Sequence, residues 1–280
     1  MLESVGSFGA AGSMVGYLYQ VRVALVWAIR HSRVADFSVS LETLDDVSFS
    51  KAGEPIAVLQ TKHSLTAAAN LTDLSPELWK TLRVWMVGLA SGEVPASAYR
   101  ILISTAAASQ GTACAVLGVE GAVRDVPEAA KRLKHAATTS QNVDLEDAFA
   151  SFLALDEKAR EQLLARIYVV PAQPDADAIR AQLEAELYHL SLHHQEQAVS
   201  LVEGWWFGRV VHELVHGGRG ISRAEIDSQL SEIQESLKPD SLPISEEIEA
   251  LMVVLEQLPE FADRPFYKQV ELVTNSKHRI

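Results

Sequence analysis

A chain of 280 residues with 48% hydrophobic side chains is long and apolar enough for one large or two modest cored domains. Its single cysteine, Cys114, excludes an internal disulfide and fits a reducing cytoplasm; no apolar run of spanning length appears, and Met1-Leu2-Glu3-Ser4 lacks the basic start of a signal peptide. The net charge of −13 argues against a phosphate-binding surface until the chain is divided: residues 1–172 carry 15 Lys+Arg and 18 Asp+Glu, a net of −3, while residues 173–280 carry 9 and 19, a net of −10.

In chain order, Gly16-Tyr17-Leu18-Tyr19-Gln20 opens a long apolar helix running through Val21 to Ile29. Arg22 and Arg30 interrupt it, which predicts a buried core helix and not a membrane span. Val39 to Glu42 follows, then Val47 to Ser50, a turn around Gly53, and Pro55 to Lys62, which read as strand, turn and returning strand. Leu74 to Ala90 is helical by the spacing of Leu78, Leu82, Trp85 and Leu89, with Ser75-Pro76 as its start signal. Tyr99 to Ser104 reads as a buried strand; weaker helical stretches over Pro127–His135, Leu145–Leu155 and Glu157–Arg166 lead to Ile167–Val170, predicted to be the last strand of the sheet. Pro171 and Pro174 mark a boundary. Beyond it Ala176–Leu192, Glu196–His216, Ser222–Leu237, Ser245–Leu258 and Pro265–Ile280 all read as helices, the last without a C-cap signal, as if the chain were truncated there.

The hairpin carries the chemistry. Residues two apart on a strand share a face, so Gln60 and Lys62 project together and Thr61 faces the other way. A turn centred near Gly53 places Asp46 opposite Gln60, where side chains on one face approach to about 4.5–5.5 Å at Cβ. A hard cation such as Mg²⁺, which takes carboxylate and amide oxygens and keeps several waters, fits between them. Such a metal lowers the pKa of bound water, and Lys62 beside a scissile phosphate offsets the charge of the transition state. Either Asp45 or Asp46 can be the ligand; the hairpin register favours Asp46.

The order Gly16–Gln20, Val39–Glu42, Asp45-Asp46 and Leu59-Gln60-Thr61-Lys62-His63 resembles the PD-(D/E)xK nuclease superfamily. It looks in particular like the double-stranded DNA endonuclease domain of CBASS effectors and of the nuclease subunit of Lamassu and related ABC-three-component defence systems. The resemblance covers about the first sixty-five residues. It implies Asp46 as metal-binding aspartate, Gln60 as the second ligand, Lys62 as catalytic lysine, and Glu42 and Gln20 in support, with Mg²⁺ or Mn²⁺ as cofactor. It further implies a restriction-endonuclease-like α/β domain over 1–172, an all-α interaction domain over 173–280, and a cytoplasmic anti-phage endonuclease. Double-stranded DNA would be the substrate, an SMC-like ATPase and an accessory subunit the partners, and a homo-oligomer the active form.

A rival motif is His212-Glu213-Leu214-Val215-His216, with the HExxH spacing of zinc proteases and Glu235 as a third ligand. Against it, Gly217-Gly218 ends the helix at once and no substrate-binding strand lies upstream, so His212 and His216 read as C-terminal helix residues that favour the dipole. His189, His193 and His194 have the same plain reading, and Trp205 and Trp206 read as packing anchors. A catalytically silent assembly subunit is the remaining alternative.

Overall fold

The computed structural model describes residues 10–33, 36–63, 70–119, 124–191 and 194–238. Helix α1 (Ala10–Ser32) precedes β1 (Ser38–Leu41), β2 (Val47–Lys51) and β3 (Glu54–Lys62), then β4 (Asn70–Leu71), α2 (Pro76–Ser91), β5 (Tyr99–Ser104) and β6 (Ala107–Ala108). There follow α3 (Ala113–Val116), α4 (Val126–Thr139), a 3₁₀ turn (Val143–Leu145), α5 (Glu146–Ala154), α6 (Glu157–Ala165), β7 (Ile167–Val170), α7 (Ile179–Glu186), α8 (Gln195–His216), β8 (Ile221–Ser222) and α9 (Arg223–Ser236). The predicted helices from Ser245 onward lie outside the described residues.

The main sheet has the strand order β7-β5-β3-β2-β1-β8. Its β8-β1-β2-β3 half is antiparallel and its β3-β5-β7 half parallel, so the molecule is a mixed α/β fold. The β2–β3 turn needs left-handed backbone at Ala52 and Gly53, and a Gly there adopts it without strain.

Alternation along the strands divides the core between two faces. On one, Val58, Leu102 and Val169 meet α2, α4 and α5 in a cluster around Trp79, whose ring meets Phe149 edge-on at 4.6 Å and Phe152 at 5.5 Å and whose indole N–H donates to Asp73 O at 2.7 Å. On the other, α1 lies on β1 and β3 and is covered by α7 and α8. Its arginines, charges that a buried helix must pair, reach across to those helices, Arg22 to Glu203 at 2.8 Å and Arg30 to Glu186 at 2.7 Å, and Arg33, just past its end, also meets Glu186 at 2.8 Å. Trp206 is the anchor expected of it, 1% exposed and donating to Val21 O at 2.9 Å.

The chain divides into compact units at Met1–Gln234 and Glu235–Ile280, so the break expected after residue 172 falls inside the first unit. The stretch after it is not all helical either: β7 is not the last strand, because Ile221 pairs with Val39 in β8. Gly220 makes this approach possible, with φ +79° and Val39 O only 2.7 Å from where a Cβ would stand. Ser75 and Pro76 start α2 as predicted, with Ser75 at the N-cap position and its hydroxyl accepting the Thr72 N–H at 2.8 Å, and Ser222 accepts from Glu225 N–H at 3.2 Å at the start of α9.

Candidate functional site

The polar residues of the hairpin gather where β2 begins and the parallel strand β3 ends, with α1 on one side and α2 on the other. The register Val47↔Leu59 carries Asp46 opposite Gln60. The Gln60 amide nitrogen donates to Asp46 Oδ1, and Asp46 Oδ2 accepts from Thr61 N–H at 2.7 Å and from the Thr61 hydroxyl at 2.8 Å. Lys62, two residues on, shares the face of Gln60 and stays half-buried.

Gln20, 5% exposed on α1, ties the cluster together: its amide donates to Glu42 Oε1 at 2.8 Å and to Asp46 O at 2.7 Å. Glu42 itself sits in left-handed backbone, φ 54°, with its N–H donating to Asp46 O at 3.1 Å. Gln20→Ala is therefore expected to cost about 1 kcal/mol of stability, the worth of the lost hydrogen bonds, since Glu42 is exposed and Asp46 O keeps the Glu42 N–H. Urea unfolding checks it, and a change under 0.5 kcal/mol would show that the bridge carries no weight.

Asp45 turns away from Gln60. Its Oδ2 accepts from the Trp85 indole at 2.6 Å and its Oδ1 from Asp46 N–H at 3.0 Å. Burial pushes its carboxyl from 3.8 up to about 6; the Asp46 charge adds to this, while the Trp85 hydrogen bond and Lys62 oppose it. A carboxyl whose folded pKa lies above its unfolded one holds its proton better when folded, so its contribution is fully present below about pH 4 and is lost as the pH rises through about 6. The loss amounts to roughly 3 kcal/mol. Asp45→Asn should accordingly gain more stability over wild type at pH 7.5 than at pH 4 in urea titrations, and an equal change at both would refute the linkage.

All six polar residues read from the sequence, Gln20, Glu42, Asp45, Asp46, Gln60 and Lys62, thus stand around one point, though Asp45 faces α2. Two participants were missed. Thr61 reaches Asp46 through its backbone N–H and a hydroxyl, which strand periodicity assigned to the opposite face. Trp85 enters the sequence reading only as one of the residues at helical spacing in α2, and the polar tip of its indole is the one signal that points further.

The HExxH segment of α8 does not form a zinc centre. Glu213 accepts from Arg209 at 2.9 Å and from Gly220 N–H at 3.3 Å, Arg209 also pairs with Glu225, and Glu235 pairs with Lys238. The carboxylate that would act as base is already spent on an ion pair. Among the described residues no three His, Cys, Asp or Glu side chains are so arranged that they could together hold a metal ion. No helix among them is long and apolar enough to cross a membrane.

No protein-family model matches the chain, and no curated protein does. Among solved structures it is similar to the Cap4 SAVED/CARF-domain containing receptor of Moraxella osloensis, at 14% identity over 80% of this chain and 48% of that one, with a TM-score of 0.46. It is also similar to the Acinetobacter baumannii Cap4 SAVED/CARF-domain containing receptor with the cyclic trinucleotide 2'3'3'-cAAA, at 13% identity over 82% and 47%, with a TM-score of 0.45. The chain spans about half the length of these proteins. These findings overturn the assignment to the PD-(D/E)xK superfamily and to a Lamassu-type nuclease subunit, since what is found is receptors named for SAVED/CARF domains. With that assignment go the anti-phage DNA endonuclease effector, its double-stranded DNA substrate and its SMC-like ATPase partner.

Proposed function

We propose that the Asp46–Gln60–Lys62 cluster is a divalent-cation site for hydrolysis of a phosphodiester. The observation that carries this reading is the direct contact of the Gln60 amide with the Asp46 carboxylate, on the strand face shared with Lys62. The donor set suits Mg²⁺ or Mn²⁺, hard ions that accept one carboxylate and one amide oxygen and fill the rest of their shell with water, and does not suit zinc, which wants a fuller set of protein ligands.

Thr61 occupies Asp46 Oδ2 with two donors, which leaves Oδ1 as the oxygen to offer a cation. Turning the Gln60 amide about its last torsion replaces the N–H now facing Oδ1 by the carbonyl oxygen, so two oxygens converge. Asp45, held by Trp85, backs this pair without joining it. When bound, the ion supplies an acidified water as nucleophile. Lys62 pairs with no carboxylate of the described residues, and its ammonium is placed to hold a phosphate oxygen and to offset the charge that grows on it. Gln20 fixes the Asp46 main chain, and so the direction of the carboxylate.

The test is hydrolysis of bis(p-nitrophenyl) phosphate with Mg²⁺ and with EDTA. Wild type should cleave only with the metal, and Lys62→Met should lower kcat by about 10²–10³. Cleavage that ignores EDTA or survives Lys62→Met would remove the proposal.

A further inference from the structure

A cleft of about 820 Å³ opens between α1, α8 and the turn around Asp175, and reaches His63, the residue after Lys62. That is the size of a small-molecule site. Its electrostatics exclude phosphate. Three carboxylates, Asp175, Asp177 and Glu203, face a single guanidinium, Arg22. Glu203 is already shared between Arg22 and Arg180. Asp175 gives Oδ1 to the N–H groups of Asp177 and Ala178 at 3.1 and 2.9 Å, which leaves its second oxygen open. Asp177 pairs with no cation of the described residues, so the cleft holds spare acceptors.

The walls are apolar. Phe207 is 46% exposed and Leu18 43%, an open ring and an aliphatic side chain between which a planar group can stack. Behind His63, outside the lining of the cleft, lies a buried hydroxyl. Tyr19 is fully buried with its ring 5.1 Å from that imidazole, and its hydroxyl has no hydrogen-bond partner. Burial first, and then the Asp175 charge, push it up to about 12, so it remains a donor at any ordinary pH.

A neutral, flat ligand with adjacent N–H donors fits this lining. Among the bases, guanine presents two neighbouring donors, N1–H and the 2-amino group, that match the two oxygens of one carboxylate, with the O6 acceptor beside them. Adenine offers one amino group next to a ring nitrogen that a carboxylate repels. We infer that the cleft is a guanine-binding site, with Asp177 reading the donor edge and Phe207 stacking on the ring. The cleft lies on the α1 face of the sheet and Lys62 on the α2 face, so this inference goes beyond the phosphodiesterase reading and does not rest on it.

Calorimetric titration of the full chain with guanosine and with adenosine, both without phosphate and without Mg²⁺, tests it. Guanosine should bind at least tenfold more tightly than adenosine, Asp177→Asn should remove about tenfold of that preference, and Phe207→Ala should weaken both nucleosides. Lys62→Met should leave the binding unchanged. Equal affinities, no binding, or a preference untouched by Asp177→Asn in a variant of wild-type circular dichroism would overturn the inference. Diester hydrolysis without guanosine binding would sink the cleft alone, and guanosine binding without hydrolysis the phosphodiesterase reading alone.

Discussion

Asp46→Asn is expected to abolish Mg²⁺-dependent cleavage of bis(p-nitrophenyl) phosphate, a loss of several kcal/mol of transition-state stabilisation or roughly a thousandfold in rate. The substitution conserves shape, and its amide oxygen can still accept from Thr61 N–H and hydroxyl as Asp46 Oδ2 does now. What changes is the atom facing Gln60: an NH₂ group that binds no cation takes the place of Oδ1. Mn²⁺ titration followed by electron paramagnetic resonance should show the loss of the site independently of turnover. Tight Mn²⁺ binding by a folded Asp46→Asn protein would place the cation elsewhere.

Trp79→Ala should produce the largest loss of stability. The side chain is wholly buried, two phenylalanine rings close on it at right angles or nearly so, and its indole N–H satisfies Asp73 O. Removing it costs about 3–5 kcal/mol, a large share of the 5–15 kcal/mol typical of a folded domain. Calorimetry should record a fall in Tm of roughly 10 °C. Trp79→Phe keeps an aromatic ring and loses the hydrogen bond, so it should fall between the two. Equal melting of Trp79→Ala and wild type would mean that α2 and α5 do not share this core.

The hairpin was legible because its signals are local. Alternation fixes the faces of Gln60 and Lys62, and the Ala52-Gly53 turn fixes which residue lies opposite. The same holds for α2 and β5, whose buried residues repeat at helical and strand spacing. What stayed hidden depends on contacts distant in sequence. Arg22 and Arg30 were visible as interruptions in an apolar helix, but nothing in their neighbourhood names Glu203 and Glu186 as their partners. The acidity after residue 173 in part serves those arginines. β8 is two residues long, below the length at which periodicity can be read. The HExxH spacing was read correctly as a pattern and says nothing of Arg209, which takes its glutamate. The family resemblance rested on short motifs at the hairpin, and such motifs constrain a local shape far more than they constrain a lineage.

The late closure of the sheet bears on how the protein is made. Strand β1 waits for Ile221 and Ser222, and α1 waits for Trp206, 185 residues beyond the carbonyl it bonds. At about 5–20 residues per second of synthesis, the open edge of β1 and the apolar flank of α1 stand bare on the ribosome for roughly ten seconds or more. An unpaired strand edge is a template for the wrong neighbour. Nascent chains halted before Gly220 should therefore be the form that aggregates or recruits chaperones, and the release of α8 and β8 should mark the moment at which that hazard ends.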